Sequence, residues 1–252
     1  MIVPADFPYS KNIIMSFVGG SALHGAKLEG KDDTDLYGIF VEPPEKKLGL
    51  DSYEHYVHST SLNDEKNGPE DIDIVLYSLG KWAHLACKGN PSVLHFLFCK
   101  PEFQTIDWCV LTQDVTPFIA KSHLSAFFGY ANAQLQRLYN GRGPKDTNRP
   151  FLEAQYGYDT KYAMHIIRLL GEGKELMETG KITLPRPNAA FLREIREGKV
   201  KLYEIEKLAD SLMNEARAAQ AVSLLPDTPD RKEISRRLAS VYQKIWNPLD
   251  KI

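Results

Sequence analysis

The stretch from Gly19 to Val41, GGSALHGAKLEGKDDTDLYGIFV, constrains the fold more than any other part of the chain. Before it, Ile13 to Val18 forms an apolar run with the length and bulk of a buried strand, and Gly19-Gly20 turns the chain sharply at its end. A short helix and a loop then lead to Asp33-Thr34-Asp35, which opens a second strand running to Val41 and stopped by Pro43-Pro44. Side chains alternate along a strand, so Asp33 and Asp35 face one way while Asp32 and Thr34 face the other. Two unpaired carboxylates about 6 Å apart repel by about 3 kcal/mol at an effective dielectric of about 20. A pattern carrying that cost asks for a cation.

A divalent ion between the carboxylates removes the repulsion. Hard oxygen donors favour Mg²⁺, which keeps several waters and binds substrate phosphates beside one or two carboxylates. Gly19-Gly20-Ser21 supplies the complementary half, because glycines admit close backbone approach, free N–H groups face phosphate oxygens and the Ser21 hydroxyl adds a donor. Two other ion-binding motifs fail. A Walker loop needs Gly-Lys-Ser/Thr, which does not follow Gly19-Gly20, and a calcium loop opening at Asp33 needs a Glu where Pro44 stands. A two-metal site also needs a shared third acid. Asp71 to Tyr77 alternates acidic and apolar residues as a third strand, and Asp71 and Asp73 share one of its faces, so alternation alone does not choose between them.

Beyond this region the pattern becomes helical. Ser78 caps a helix over about 79–88, Asn90-Pro91 breaks it, and another short apolar helix runs from Ser92 to Phe98. Longer helices are expected over 116–140, 159–178, 189–197, 202–224 and 230–246, punctuated by Gly141, Gly180, Gly198, Pro185 and Pro187. The expected organisation is an α/β part over residues 1–110 and a helical part over 111–252. A net charge of −2 gives no global attraction to nucleic acid, so an RNA or DNA acceptor must be held by a local basic patch. Three cysteines (Cys87, Cys99, Cys109), odd in number and without CxxC spacing, suit a reducing cytoplasm. No apolar run reaches the roughly 18 residues of a membrane span, and the first residues lack a secretory pattern, so a cytoplasmic protein without a membrane partner is expected.

Gly19-Gly20-Ser21 followed by Asp33-Thr34-Asp35 resembles the signature of the polymerase-β nucleotidyltransferase superfamily. The likeness narrows through Asp73-(x3)-Tyr77-Ser78-Leu79-Gly80-Lys81-Trp82, Lys88-Gly89-Asn90-Pro91-Ser92 and Leu97-Phe98. Tyr158-Asp159-x-Lys161-(x3)-His165-Ile166-Ile167-Arg168-Leu169-Leu170 and Thr179-Gly180-Lys181-Ile182 carry it into the helical part. These motifs resemble the YcgL-type, RNA-ligase-associated nucleotidyltransferases, from about Ile14 to Lys199. The resemblance implies an α+β fold, with a polymerase-β-type mixed sheet of five strands or a similar number, followed by a helical C-terminal domain that completes the nucleotide and acceptor cleft. It favours Asp73 over Asp71 as the third acid. The chain departs from the pattern at His24, Gly80 and His95.

Lys161, His165 and Arg168 fall within about 60° of one another on a helical wheel and span about 10 Å of axis, a face that suits a triphosphate. The pairs His84/Cys87 and His95/Cys99 mimic zinc spacing, but the cysteines sit among Leu, Phe and Trp and read as core thiols. Arg137, Arg142, Lys145 and Arg149 flank a glycine-rich loop and read as a solvated loop rather than an RNA grip. The resulting expectation is an enzyme that transfers NMP from an NTP such as ATP to an acceptor hydroxyl on RNA, protein or a small molecule, releasing pyrophosphate. Asp33, Asp35 and Asp73 would hold two Mg²⁺ ions (or Mn²⁺) and do the catalysis. Gly19, Gly20, Ser21, Lys161, His165 and Arg168 would bind the nucleotide. The rival is a nucleotide sensor without chemistry, which has no need of a third acid.

Overall fold

In this computed structural model the described residues are 3–30, 32–61, 68–140 and 149–247. The strands are β1 (Ile13–Val18), β2 (Thr34–Phe40), β3 (His55–Ser59), β4 (Ile72–Ser78) and β5 (Phe103–Gln104). The α-helices are α1 (Gly20–Leu23), α2 (Pro44–Leu48), α3 (Leu79–Cys87), α4 (Pro91–Leu94), α5 (Ile106–Thr112), α6 (His123–Asn140), α7 (Pro150–Tyr156), α8 (Thr160–Thr179), α9 (Ala189–Arg196), α10 (Leu202–Val222) and α11 (Arg231–Trp246). Arg142 and Lys145 of the expected basic loop lie outside the described residues. No helix among those described is long and apolar enough to cross a membrane.

The chain divides into two compact units, and neither is continuous in sequence. The first takes Met1–Cys87, Val93–Phe118 and Pro229–Ile252; the second takes Lys88–Ser92 and Ile119–Thr228. A single cut at residue 110 therefore does not separate them, because α11 returns to the first unit.

The first unit is α+β, with one mixed sheet in the order β3-β4-β2-β1-β5 among the described residues. β2 and β4 are parallel, and the remaining pairs are antiparallel. One sheet face carries Ile13, Phe40, Ile74 and Leu76, closed by Phe7 with Tyr9, Tyr53 and Tyr56 around it. The opposite face carries Phe17, Tyr37 and Tyr77, and the Phe96 ring meets the Phe17 ring edge-on at 4.8 Å. Trp82 of α3 is fully buried between Trp108 and Phe118, and its indole N–H donates to the Val93 carbonyl at 3.3 Å. Aromatic edge and tilt contacts of this kind add to the large area each ring removes from water.

Arg237 fastens α11 to this unit. Its guanidinium donates to the carbonyls of Leu111 (3.2 Å), which the last turn of α5 leaves without a helical partner, and of Asp114 (2.6 Å), just beyond that helix, and its Nε donates to Glu233. Trp246 donates its indole N–H to the Glu42 carbonyl at 3.0 Å, anchoring the other end.

The second unit is helical, with α6 and α10 packed along α8. Asp159 caps α8 by accepting from the Lys161 and Tyr162 amides, and Gly180 ends it in the left-handed conformation with its N–H on the Leu176 carbonyl. Most of α8 is buried, as expected of a helix with neighbours on several sides.

All three tryptophans (82, 108 and 246) belong to the first unit, so intrinsic fluorescence reports its unfolding. Replacing Arg237 with Ala is expected to lower stability by about 1–3 kcal/mol in urea unfolding, since the part-buried Leu111 carbonyl and the exposed Asp114 carbonyl lose a charged donor. Arg236→Ala, at a side chain that is 69% exposed, is the control and should leave the midpoint nearly unchanged.

Candidate active site

The turn after β1 is built around two side chains of β2. The Gly19 N–H donates to the Asp35 carbonyl at 2.8 Å, which locks the turn against the strand. A Cβ on Gly19 would lie 2.3 Å from the Tyr37 ring, and a Cβ on Gly20 would lie 1.7 Å from Asp35 Oδ2. Gly20 also has φ of +56°, which side-chain-bearing residues rarely adopt. The two glycines therefore leave room for Tyr37 and Asp35, neighbours on one face of β2. The Asp35 carboxylate lies directly against the Gly20 backbone.

Parallel pairing of β2 with β4 sets Asp35 opposite Asp73. Adjacent strands lie about 4.8 Å apart and register partners project to the same side, so the two carboxylates share one sheet face. Asp73 Oδ1 is shielded from water. Asp33 sits just before β2, half-buried.

Asp71, which alternation alone could not separate from Asp73, has different work. Its Oδ2 accepts from the Gly68 N–H at 2.6 Å, and its Oδ1 accepts from the Thr60 hydroxyl at 3.3 Å. The carboxylate thereby fixes the turn leading into β4, while Asp73 stands opposite Asp35.

Asp32 has a structural role that the sequence reading missed. It is buried, and its Oδ2 accepts from both the Ser21 hydroxyl (3.0 Å) and the Leu28 N–H (2.8 Å). Ser21 has one O–H to donate, and it is given to Asp32 rather than held ready for a phosphate. The bond ties the glycine turn to the loop ahead of β2. The only sequence hint was the placement of Asp32 on the opposite side from Asp33 and Asp35.

Two departures from the family pattern meet in space: His24 at the end of α1 and His95 are both buried, with ring centroids 4.9 Å apart. Lys81 is engaged by Glu54 at 2.7 Å, whose carboxyl it holds below the usual range. Asn90 donates to the Tyr130 hydroxyl at 2.7 Å. The cysteines are free thiols. Burial pushes the Cys99 thiol up to about 12 and raises that of Cys87, as apolar surroundings do to a thiol.

The basic face of α8 is narrower than the helical wheel implies. Arg168 is buried and donates to both carboxylate oxygens of Glu172, one turn along, at 3.0 and 2.9 Å. Its charge is therefore already matched within the helix. Burial, with the cations Arg168, Lys161, Arg149 and Arg196 nearby, pushes His165 well below the usual imidazole value. At neutral pH His165 is thus an uncharged ring. Arg149 spans Asp159 at 2.9 Å and stacks over the Tyr162 ring. Lys161 remains as the cation of the three expected nucleotide-binding groups on this helix.

Residues 6–245 match the model of a family described as the RNA repair pathway DNA polymerase beta family. An uncharacterized 38.9 kDa protein of Enterobacteria phage T4, from the nrdC-mobD intergenic region, is 29% identical over 139 residues, or 54% of this chain. The chain covers 40% of that relative's length. A crystal structure of a nucleotidyltransferase-like protein from Exiguobacterium sibiricum aligns with 97% of this chain and 75% of its own, at 14% identity and a TM-score of 0.31.

Gly20 and Gly30 both have positive φ, but a Cβ on Gly30 meets nothing within 4 Å. Alanine at either position should cost about 1–2 kcal/mol for the left-handed backbone. Gly20→Ala should lose about 1–3 kcal/mol more through the collision with Asp35. Adding Asp35→Ala should remove that excess, as a double-mutant cycle in urea unfolding would record.

Proposed function

Because the chain belongs to the RNA repair pathway DNA polymerase beta family, we propose that it is a Mg²⁺-dependent nucleotidyltransferase acting on an RNA end. The observation that carries this reading is the pairing of Asp35 with Asp73 on adjacent parallel strands, with the Gly20 backbone against the Asp35 carboxylate. Carboxylates drawn together on one face, beside a turn free of side chains, fit a hard divalent cation and the phosphates it carries.

In the proposed reaction an RNA 3′-hydroxyl attacks the α-phosphorus of a bound NTP. The new O–P bond forms in line as the bond to the β-phosphate oxygen breaks, and pyrophosphate leaves. Asp33, Asp35 and Asp73 would hold Mg²⁺, or Mn²⁺ in its place, and the cation would neutralise charge on the attacking and leaving oxygens. Asp73 orients the acceptor hydroxyl and takes its proton on a carboxylate oxygen. Gly19 and Gly20 let the triphosphate approach the backbone. Ser21 supports that turn through Asp32. Arg168 acts through Glu172 on the stability of α8, and His165 offers a neutral ring rather than a charge. RNA is preferred over protein or a small molecule because the family description names RNA repair.

The test is incubation of the whole protein with each labelled NTP in turn and 3′-hydroxyl RNA, with Mg²⁺ or with EDTA. Label should enter RNA only with the metal. Asp35→Asn and Asp73→Asn should each lower transfer by about 100-fold or more, whereas Asp71→Asn should stay within about threefold of wild type while losing stability. Label entering protein or a small molecule instead would move the acceptor. Saturable metal-dependent binding with no transfer to any acceptor would make the chain a nucleotide sensor.

A further inference from the structure

Within the helical unit, α6 and α10 lie along α8 and leave a cavity of about 620 Å³ between them. Ile166 and Leu170 of α8 form its floor, with Leu135 of α6 and Met213 of α10 as facing walls. That volume is typical of sites for small organic molecules, and it is too small for a docked helix or a folded RNA element.

The charges around this apolar interior are unequally placed. Glu206 and Asp210 lie one turn apart on α10 and line the same cavity, an arrangement of like charges that disfavours the isolated helix. Among the described residues no basic side chain pairs with either carboxylate. The Tyr139 hydroxyl, on α6, donates to Glu206 and holds that carboxylate in place. This bond, with burial and the charges of Glu206 and Asp210, pushes the phenol up to about 12. The cation of the lining, Arg217, stands two turns farther along α10 with its guanidinium over the Phe128 ring at 5.5 Å.

We propose that this cavity binds a small organic cation, with its apolar or aromatic body between Leu135 and Met213 and a protonated amine against Glu206 and Asp210. An ammonium there relieves the repulsion of the two carboxylates, and contact with Leu135, Ile166, Leu170 and Met213 removes apolar surface from water. The same carboxylates repel a phosphodiester or carboxylate ligand. The site stands on the helical unit alone and does not depend on nucleotidyl transfer.

The test uses the whole protein with ¹³C-methyl methionine, with the Met213 signal assigned through Met213→Leu. The probes are 2-phenylethylammonium, the neutral 2-phenylethanol and the anionic 3-phenylpropionate. The ammonium should move the Met213 signal saturably and bind about tenfold or more tighter than the alcohol, with the anion weakest. Glu206→Gln/Asp210→Asn should bring the ammonium close to the alcohol while the alcohol's affinity holds, and Met213→Trp should block both by filling the space. Asp210 is exposed and Glu206 half-buried, so these polar exchanges are compatible with folding, which unchanged methyl spectra of the other methionines would verify. Equal affinity for ammonium and alcohol, a preference that survives the double substitution, or a Met213 signal unmoved by all three probes would overturn the proposal.

Discussion

Parallel pairing of β2 with β4 is the constraint on which the first unit turns. It commits Asp35 and Asp73 to neighbouring positions on one face, where two negative charges about 5 Å apart repel by about 3 kcal/mol at an effective dielectric of about 20. Buried apolar residues on the opposite face, from Phe40 on β2 to Ile74 and Leu76 on β4, hold the register against that repulsion. A slip by one residue would turn the apolar set outward, so the packing on one side enforces the acidic arrangement on the other. Gly19 and Gly20 complete the device, since any side chain there would collide with Tyr37 or Asp35.

The strands central to this arrangement were legible because burial on two faces imposes a strong pattern. The Ile13–Val18 strand was readable residue for residue, and β2 and β4 to within a residue at their ends. β3 and β5 were not located. β3 is an edge strand with an exposed Val57 among His and Ser, and β5 is two residues long, so neither carries a full apolar alternation. Asp71 and Asp73 show the limit of pattern reading at the site. Alternation treats them alike, and only the Gly68 and Thr60 bonds to Asp71 distinguish them. Likewise Ser21 looked like a phosphate donor until Asp32 was seen to accept its hydrogen bond.

The helical part was legible in its elements and much less so in its charges. A wheel projection puts Lys161, His165 and Arg168 on one face, but it assigns no partner to any of them. In the folded helix Glu172 takes both hydrogen bonds from Arg168, and burial keeps His165 uncharged. The return of α11 to the first unit was equally hidden. It depends on Arg237 meeting the carbonyls of Leu111 and Asp114, more than a hundred positions earlier in the chain, as well as on the Trp246 bond to Glu42.

The central claim is that Asp35 and Asp73, rather than Asp71, form the face that holds a divalent ion with its nucleotide. Electron paramagnetic resonance of Mn²⁺, titrated into the protein with a non-hydrolysable NTP analogue, measures this without relying on turnover or on the identity of the acceptor. Wild type and Asp71→Asn should bind the ion with closely similar affinity, and Asp73→Asn should bind it about tenfold or more weakly. Undiminished Mn²⁺ binding in folded Asp73→Asn, or its loss in Asp71→Asn alone, would contradict the account.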